Sequence, residues 1–274
     1  MRVHVVGLAS TQDVAANRTA AVEAVLEAAD DGAHLVVLPE YAACFDPRGV
    51  TVRAEALDGP FVTALREAAA QSGVVVIAGL VVAGAGPTDP PANVVVAVGP
   101  QGLLGTYHKV HLYDAFGQHE SDRFAAGDPA AAPLVVDVDG LRVGVMTCYD
   151  LRFPESARRL VDAGATVIAV PAAWASGQDK VKHWRILLRA RAIEDTVYVL
   201  GAAMQGRGVA GAPMVVDPLG VVLVDPGRDP GERSATGGEG RQVAVADLDP
   251  AQVEAVRGRN PSLVNRRYTV VPRV

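Results

Sequence analysis

Short apolar runs alternate with helical patterns along this chain of 274 residues, and that alternation strongly constrains its fold. Runs such as RVHVVGLA (residues 2–9) and TVIAVPAAW (residues 166–174) favour strands. Helices are predicted over residues 14–32, about 61–73, 154–164, 180–196 and 250–259, where capping or breaking residues bound the apolar patterns. Strands separated by helices of this length indicate βα units, so the chain is predicted to adopt an α/β fold.

Two tight turns add antiparallel strands to this pattern. Pro100-Gln101-Gly102 separates two apolar runs, and Asp139-Gly140 separates another pair. The sheet structure is therefore predicted to be mixed. No Ser- or Pro-rich linker divides the chain, so we expect residues 1–274 to form a single domain. Pro226–Arg241, rich in glycine and charge, is predicted to be a flexible surface loop.

The composition argues against several classes of protein. Half of the residues are apolar, which suits a globular protein with a sizeable core. The net charge is −6 and no basic cluster is present, so no nucleic-acid partner is predicted. No apolar run approaches the roughly 18 residues of a membrane span, and the N-terminus lacks a signal-peptide pattern. Two cysteines make no disulfide framework, and a soluble cytoplasmic protein is predicted.

A duplicated segment draws attention to one carboxylate. GAHLVVLPEYA, Gly32–Ala42, aligns with GATVIAVPAAW, Gly164–Trp174, and both read Gly-Ala, five mostly apolar residues, then Pro. The first copy has Glu40 where the second has Ala172. Because burying an unpaired charge is costly, and because the second strand does without one, Glu40 requires a partner and a purpose.

Cys148 lies where a predicted strand gives way to a helix that begins near Pro154. Such a junction can present a nucleophile, and helix N–H groups there lower a thiol pKa and hold a developing oxyanion. The same position also suits a buried structural cysteine. Cys44 has no such junction and is interpreted as structural.

Lys109 follows another strand-like segment, between His108 and His111. A lysine at a strand end is commonly a solvated surface charge. The His-x-x-His spacing raises the question of a metal, but on a strand it directs the two rings to opposite faces, and no third ligand stands close by. Neither a metal nor another cofactor is predicted.

Convergence of these strand ends would explain all three residues. A buried Glu40–Lys109 pair is tolerable where either charge alone is not. Glu40 then serves as the base for the Cys148 thiol, which attacks a carbonyl carbon. Lys109 and the backbone N–H of Tyr149 stabilise the oxyanion, and water activated by Glu40 hydrolyses the thioester.

The order of three motifs resembles that of the nitrilase superfamily of carbon–nitrogen hydrolases. These motifs are LPE, YHKVHL and CYDLRFPE, and the similarity continues into HWRILLRARAIEDTVYV and MVVDPLG. The resemblance implies a four-layer α-β-β-α sandwich of two mixed sheets and a homodimer or higher homo-oligomer. It assigns Glu40 as general base, Lys109 as oxyanion-stabilising lysine and Cys148 as nucleophile. Within GQHESDRFAAGD it places a second glutamate, Glu120, to orient Lys109 and the substrate nitrogen; the alternative is an exposed loop acid.

Within the superfamily, CYDLRFPE is similar to the branch of ω-amidases and deaminated-glutathione amidases. Nitrile hydrolysers usually have Cys-Trp-Glu, where this chain has Cys-Tyr-Asp. The segment GAPMVVDPLG departs from the branch, whose members often carry Gly-His-Ser there. Trp174 and Tyr113 are candidates for lining the substrate pocket, although Trp174 could equally be a core residue. Arg152 could bind a substrate carboxylate or carbonyl groups at the start of the helix.

The predicted function is hydrolysis of the amide of a small, carboxylated substrate through a cysteine thioester, with release of ammonia. An aliphatic amidase, an N-carbamoyl hydrolase and a nitrilase are alternatives within the superfamily, and so is an acyltransferase that passes the thioester to an amine. A binding protein without activity is disfavoured because Glu40, Lys109 and Cys148 are all present. A serine hydrolase is disfavoured because no Gly-x-Ser-x-Gly occurs.

Overall fold

The computed structural model describes residues 1–49, 52–227 and 240–273. The first part of the chain contains β1 (Arg2–Gly7), α1 (Val14–Asp30), β2 (Leu35–Val37), α2 (Pro60–Ser72), β3 (Val75–Val82), β4 (Ala92–Gly99) and β5 (Gly102–His108). The second part contains β6 (Val135–Val138), β7 (Leu141–Val145), α3 (Pro154–Asp162), β8 (Val167–Ala172), α4 (Lys180–Asp195), β9 (Tyr198–Ala203), β10 (Met214–Val216), β11 (Val222–Val224), β12 (Gln242–Asp247) and α5 (Pro250–Arg259). Short 3-10 helices occur at Glu120–Asp122 and Cys148–Arg152.

The strands form two mixed six-stranded sheets, in the orders β12-β1-β2-β3-β4-β5 and β11-β10-β9-β8-β7-β6. Strands β1, β2 and β3 are parallel, as are β7, β8 and β9. Antiparallel strands extend each sheet at both sides. The predicted turns at Pro100–Gly102 and Asp139-Gly140 are confirmed, because they join β4 to β5 and β6 to β7.

Alternating side chains bury both faces of the central strands. In β2, Leu35 and Val37 pack between the two sheets, whereas Val36 packs against α1 and α2. In β8, Val167 likewise points between the sheets, and Ile168 points toward α3 and α4. Three apolar cores therefore separate four layers, α-β-β-α. Burial on both faces explains why these strands read as continuous apolar runs instead of alternating ones.

The duplicated segments occupy equivalent places in the two sheets. Each sheet is built around a β-α-β-α-β unit, and the copies form its second strand, β2 or β8. Gly32 and Gly164 precede these strands with φ values of 77° and 93°, a conformation that favours glycine. The duplicated segments thus belong to two halves that share one topology.

The predicted helices are all present within a few residues of their predicted bounds. The strand that precedes Glu40 is shorter than predicted, since β2 ends at Val37. Trp184 and Leu188 of α4 are buried in the apolar core between this helix and its sheet. The predicted loop Pro226–Arg241 lies mostly outside the described residues. In the described part of the chain, no helix has the length and apolarity to cross a membrane.

Candidate active site

Glu40 is buried three residues beyond the end of β2, and its carboxylate has partners on both oxygens. Oε1 accepts hydrogen bonds from Lys109 Nζ and Asn93 Nδ2, both at 2.8 Å. Oε2 accepts one from the backbone N–H of Ala173 at 2.8 Å. That donor comes directly after Ala172, the residue aligned with Glu40 in the duplicated segment, so the second copy helps to bind the charge that only the first copy carries.

The backbone at Glu40 lies close to the neighbouring strand. A Cβ atom added to Gly79 of β3 would lie 2.5 Å from the Cα atom of Glu40, nearer than real Cβ contacts allow. Glycine therefore permits this approach, and any larger residue at position 79 would displace the carboxylate from its partners.

Lys109 follows the last residue of β5 and is only 2% exposed, which rules out a solvated surface charge. Its Nζ lies 2.8 Å from Glu40 Oε1 and 2.8 Å from Glu120 Oε2. Burial by itself lowers a lysine pKa, but these two carboxylates outweigh it and hold the pKa of Lys109 well above its usual value. Lys109 is therefore a fixed positive charge at neutral pH.

Glu120 begins a 3-10 helix and is 3% exposed, so it is not an exposed loop acid. Its Oε1 accepts from Tyr41 OH at 2.6 Å and from Asn93 Nδ2 at 3.0 Å. Its Oε2 accepts from the backbone N–H of Tyr113 at 2.6 Å. Burial raises the pKa of Glu120, but Lys109 and these donors reverse the effect and lower it.

Asn93 and Tyr41 are the residues here that the sequence reasoning missed. Asn93 Nδ2 contacts Glu40, Glu120 and the Tyr41 hydroxyl, so it joins the two carboxylates. A signal for Asn93 did exist, because it is a lone amide within the apolar strand ANVVVAVG and is fully buried. Buried polar groups of this kind are normally hydrogen-bonded.

Replacing Glu120 with alanine should lower kcat/KM for the amide hydrolysis predicted from the sequence by about 10²-fold, because Lys109 loses one of its two anchors. Asp122→Ala is the matched control, since Asp122 lies in the same 3-10 helix but is exposed. Steady-state kinetics of the two variants provide the comparison. Full activity in Glu120→Ala would show that the carboxylate only helps to pack the loop.

Cys148 begins the 3-10 helix that follows β7, and it has a positive φ of 45°. Such a conformation costs a non-glycine residue about 1–3 kcal/mol and is characteristic of nucleophiles on sharp turns. A capping box stabilises the turn, with Thr147 and Asp150 each accepting a hydrogen bond from the other's backbone N–H. The fold therefore maintains backbone strain at Cys148.

The thiol environment differs from the sequence-based expectation. Helix N–H groups were expected to lower the thiol pKa, but burial and then the negative charge of Glu40 raise the pKa of Cys148 well above its usual value. Cys148 is 7% exposed, and its thiol lines the same cavity as Glu40, whose charge raises the thiol pKa. Burial and the neighbouring carboxylate both disfavour the thiolate, and together they outweigh the effect of the helix N-terminus on the thiol pKa. The resting group is thus a protonated thiol.

Asp150, fully buried, connects the cysteine turn to the lysine strand. Its Oδ2 accepts from Thr147 N–H at 2.9 Å and from Tyr107 OH at 2.8 Å. Its Oδ1 lies 2.7 Å from His111 Nδ1 and accepts from the His111 backbone N–H at 3.2 Å. Because Tyr107 and His111 flank Lys109, this carboxylate fixes the position of Lys109 relative to Cys148.

Glu40, Lys109, Glu120 and Cys148 line one cavity of about 340 Å³. Volumes of this size suit small ligands. Cys44 also lines the cavity, is buried, and has a pKa raised by burial, as expected of a structural cysteine. The three predicted strand ends and Glu120 are thus brought together at one site.

The other candidate residues lie next to this cavity. Tyr113 lines it directly. Trp174 packs against Trp184 at 5.4 Å between ring centroids, yet it also lines a second, small cavity beside Cys148. Arg152 lies over the Trp174 ring at 5.0 Å and lines the same small cavity. The backbone N–H of Tyr149 belongs to the first turn of the cysteine 3-10 helix, where N–H groups lack intrahelical partners.

The family model for carbon–nitrogen hydrolases matches residues 2–258. The chain belongs to this family. The resemblance to the nitrilase superfamily is therefore confirmed.

Two similar proteins cover nearly the whole chain. The hydrolase Rv0480c of Mycobacterium tuberculosis is 39% identical and is aligned over 97% of this chain and 95% of its own length. Deaminated glutathione amidase of Escherichia coli O157:H7 is 36% identical over 88% of each chain. Family membership and relatives that are named as amidases support hydrolase activity for this chain.

A solved structure extends the comparison to the fold. XC1258 of Xanthomonas campestris, described as a CN-hydrolase superfamily protein with an arsenic adduct in its active site, has a TM-score of 0.82. It is 28% identical, and the alignment covers 99% of both chains. The predicted α/β architecture of two mixed sheets is confirmed by this agreement.

Proposed function

We propose that the protein hydrolyses the terminal amide of a small, carboxylated molecule through a thioester on Cys148 and releases ammonia. One observation carries the proposal: the Glu40 carboxylate bonds to the Lys109 ammonium, and both line one cavity with the Cys148 thiol, whose pKa the charge of Glu40 raises. A base, a cation and a nucleophile within one cavity are the groups that acyl transfer requires.

The first half-reaction forms the thioester. Glu40 takes the thiol proton, and the Cys148 sulfur attacks the amide carbon. The carbonyl π electrons move to oxygen, and Lys109 and the Tyr149 N–H stabilise the resulting oxyanion. Glu40 then returns the proton to the amide nitrogen, the C–N bond breaks, and ammonia leaves. Glu120 contributes by holding Lys109 in place at 2.8 Å.

The second half-reaction restores the enzyme. Glu40 removes a proton from water, and the hydroxide attacks the thioester carbon while Lys109 again faces the oxyanion. Collapse of this intermediate breaks the C–S bond, and the sulfur recovers its proton from Glu40. The products are a carboxylic acid and free Cys148. Glu40 thus carries out every proton transfer of the proposed reaction.

The substrate class follows from the relatives and the cavity. Several relatives are named deaminated glutathione amidase, and the CYDLRFPE motif of this chain resembles that branch, which supports a small carboxylated amide as the substrate. A volume of about 340 Å³ matches a short ω-amide better than a peptide or polymer. An acyltransferase using the same thioester is the second candidate, with an amine replacing water.

Ammonia release across a panel of amides tests the proposal. The panel contains ω-amides of dicarboxylic acids, simple aliphatic amides, N-carbamoyl compounds and nitriles, each with and without an amine acceptor. We expect the ω-amides to give the highest kcat/KM and the acceptor to leave the product unchanged. Turnover of nitriles alone would reject amide hydrolysis, and quantitative transfer to the amine would favour the acyltransferase.

We also propose that the protein forms a homodimer, as its family resemblance implies. Exposed apolar side chains lie on α4 and on the adjoining β10–β11 turn: Ile186, Ile193, Leu219 and Val221. Light scattering after size-exclusion chromatography should give about twice the chain mass of 28.4 kDa. A single species of one chain mass at micromolar concentration would contradict the dimer.

A further inference from the structure

Lys180, at the start of α4, is a buried cation without a carboxylate partner in the described part of the chain. It is 5% exposed, and its Nζ donates to Tyr113 OH at 2.7 Å. The described ion pairs include none made by Lys180. Burying an ammonium group is costly unless an opposite charge compensates for it. The aromatic rings of Phe116, Tyr113 and Trp174, with centroids 3.9, 5.0 and 5.8 Å from Nζ, offer only partial compensation.

Arg152 is a second cation that lacks a carboxylate partner among the described residues. Its Nε is buried and has no hydrogen-bond partner among the described residues, and no described carboxylate lies within ion-pair distance of its guanidinium. Its contacts include the Trp174 ring at 5.0 Å, the Phe116 ring at 5.7 Å and His183 Nδ1 at 3.4 Å. Two neighbouring cations repel each other, and burial together with Arg152 lowers the pKa of Lys180. An anion between them would relieve both costs.

The space between these cations adjoins the nucleophile. Lys180, Arg152 and Trp174 line a cavity of about 20 Å³ together with Cys148, which is room for one water-sized group. Tyr113 and Cys148 also line the larger cavity of about 340 Å³ that contains Glu40 and Lys109. One oxygen of a carboxylate therefore fits the small cavity while the rest of the molecule occupies the large one.

We propose that Lys180, with Arg152, binds the carboxylate of the amide substrate and thereby selects anionic amides over neutral ones. This proposal rests on the proposed amide hydrolysis and names the residues that determine its specificity. Because the subsite adjoins Cys148, it fits short ω-amides in which few carbons separate the carboxylate from the scissile amide. Tyr113 positions the ammonium group through its hydroxyl.

The test compares glutaramate with its uncharged isostere 5-methylhexanamide. The wild-type protein should prefer glutaramate. In Lys180→Met and in Arg152→Met, the ratio of kcat/KM for glutaramate to that for the isostere should fall about 10–100-fold, mainly through KM, because a charge-assisted hydrogen bond is lost. Lys180→Arg should recover part of the ratio. Lys182→Met, an exposed lysine of the same helix, should keep the wild-type ratio.

Other outcomes would overturn the proposal. An equal loss for both amides in Lys180→Met, with an unchanged melting temperature, would show that Lys180 serves the chemistry and not substrate selection. Direct binding of glutarate, measured by calorimetry, separates this proposal from the proposed hydrolysis. If the wild-type protein hydrolyses neither amide, weaker glutarate binding in Lys180→Met would still support the anion subsite, whereas equal or absent binding would reject it.

Discussion

Replacing Cys148 with alanine should abolish ammonia release, with a loss of at least about 10⁴-fold in kcat, while the fold remains intact. Only the sulfur can form the acyl intermediate, and losses of this order or more follow removal of a covalent nucleophile. The structural cost should be small, because alanine removes a single atom and the capping box of Thr147 and Asp150 remains. Steady-state ammonia assays and circular dichroism measure the two effects.

Cys44→Ala is the matched control for that experiment. Cys44 is the other cysteine of the chain, is also buried, and lines the same cavity, but it makes no contact with Glu40 that the structure describes. Its alanine variant should keep kcat within about threefold. Mass spectrometry with a slow ω-amide should show an acyl adduct on the wild-type protein and none on Cys148→Ala. Unchanged ammonia release by Cys148→Ala would remove the thioester from the mechanism.

Sequence alone could indicate where Glu40, Lys109 and Cys148 lie, since each follows an apolar run that reads as a strand. Lys109 follows an antiparallel strand and Cys148 a strand of the other sheet, so their convergence with Glu40 was a hypothesis that depended on how the two sheets pack. The alternation of helices and strands could also be predicted from the sequence, because capping or breaking residues lie at the ends of helices such as α1, α2 and α3.

Contacts between distant segments could not be predicted from the sequence. The bond from Ala173 to Glu40 joins the two sheets, and it depends on how those sheets pack, which no local pattern specifies. Asn93 reaches both Glu40 and Glu120 only because β4 pairs with β3 and β5 in one register. A shift of that register by one residue would turn the amide to the opposite face of the sheet.

The direction of the thiol pKa was missed for a related reason. A strand-to-helix junction suggests a lowered value, but the thiol is enclosed by residues from other segments and lies beside Glu40. The local sequence indicates that a helix begins near Cys148, but it does not indicate how deeply the thiol is buried. Only Arg152 of the two cations Lys180 and Arg152 could be proposed from the sequence, by its position. Lys180 became a candidate only through its contacts in the fold.

Replacing Glu40 with glutamine should lower kcat/KM for amide hydrolysis by about 10²–10⁴-fold, the usual contribution of a general base. The substitution keeps the size of the side chain, and Lys109 keeps Glu120 as its partner at 2.8 Å. Glu67→Gln, on the exposed side of α2, is the control for removing a carboxylate elsewhere and should keep wild-type activity.

The same variant should make the thiol easier to ionise. After burial, the negative charge of Glu40 is the largest influence raising the pKa of Cys148, and Lys109 opposes it. Removing that charge lowers the thiol pKa, so the pH profile of alkylation by iodoacetamide should shift to lower pH in Glu40→Gln. Faster alkylation with slower hydrolysis would separate the electrostatic effect of Glu40 from its proton transfers. Raising the pH should not restore hydrolysis, because the departing nitrogen also needs the proton that Glu40 returns; full recovery at high pH would limit Glu40 to ionising the thiol.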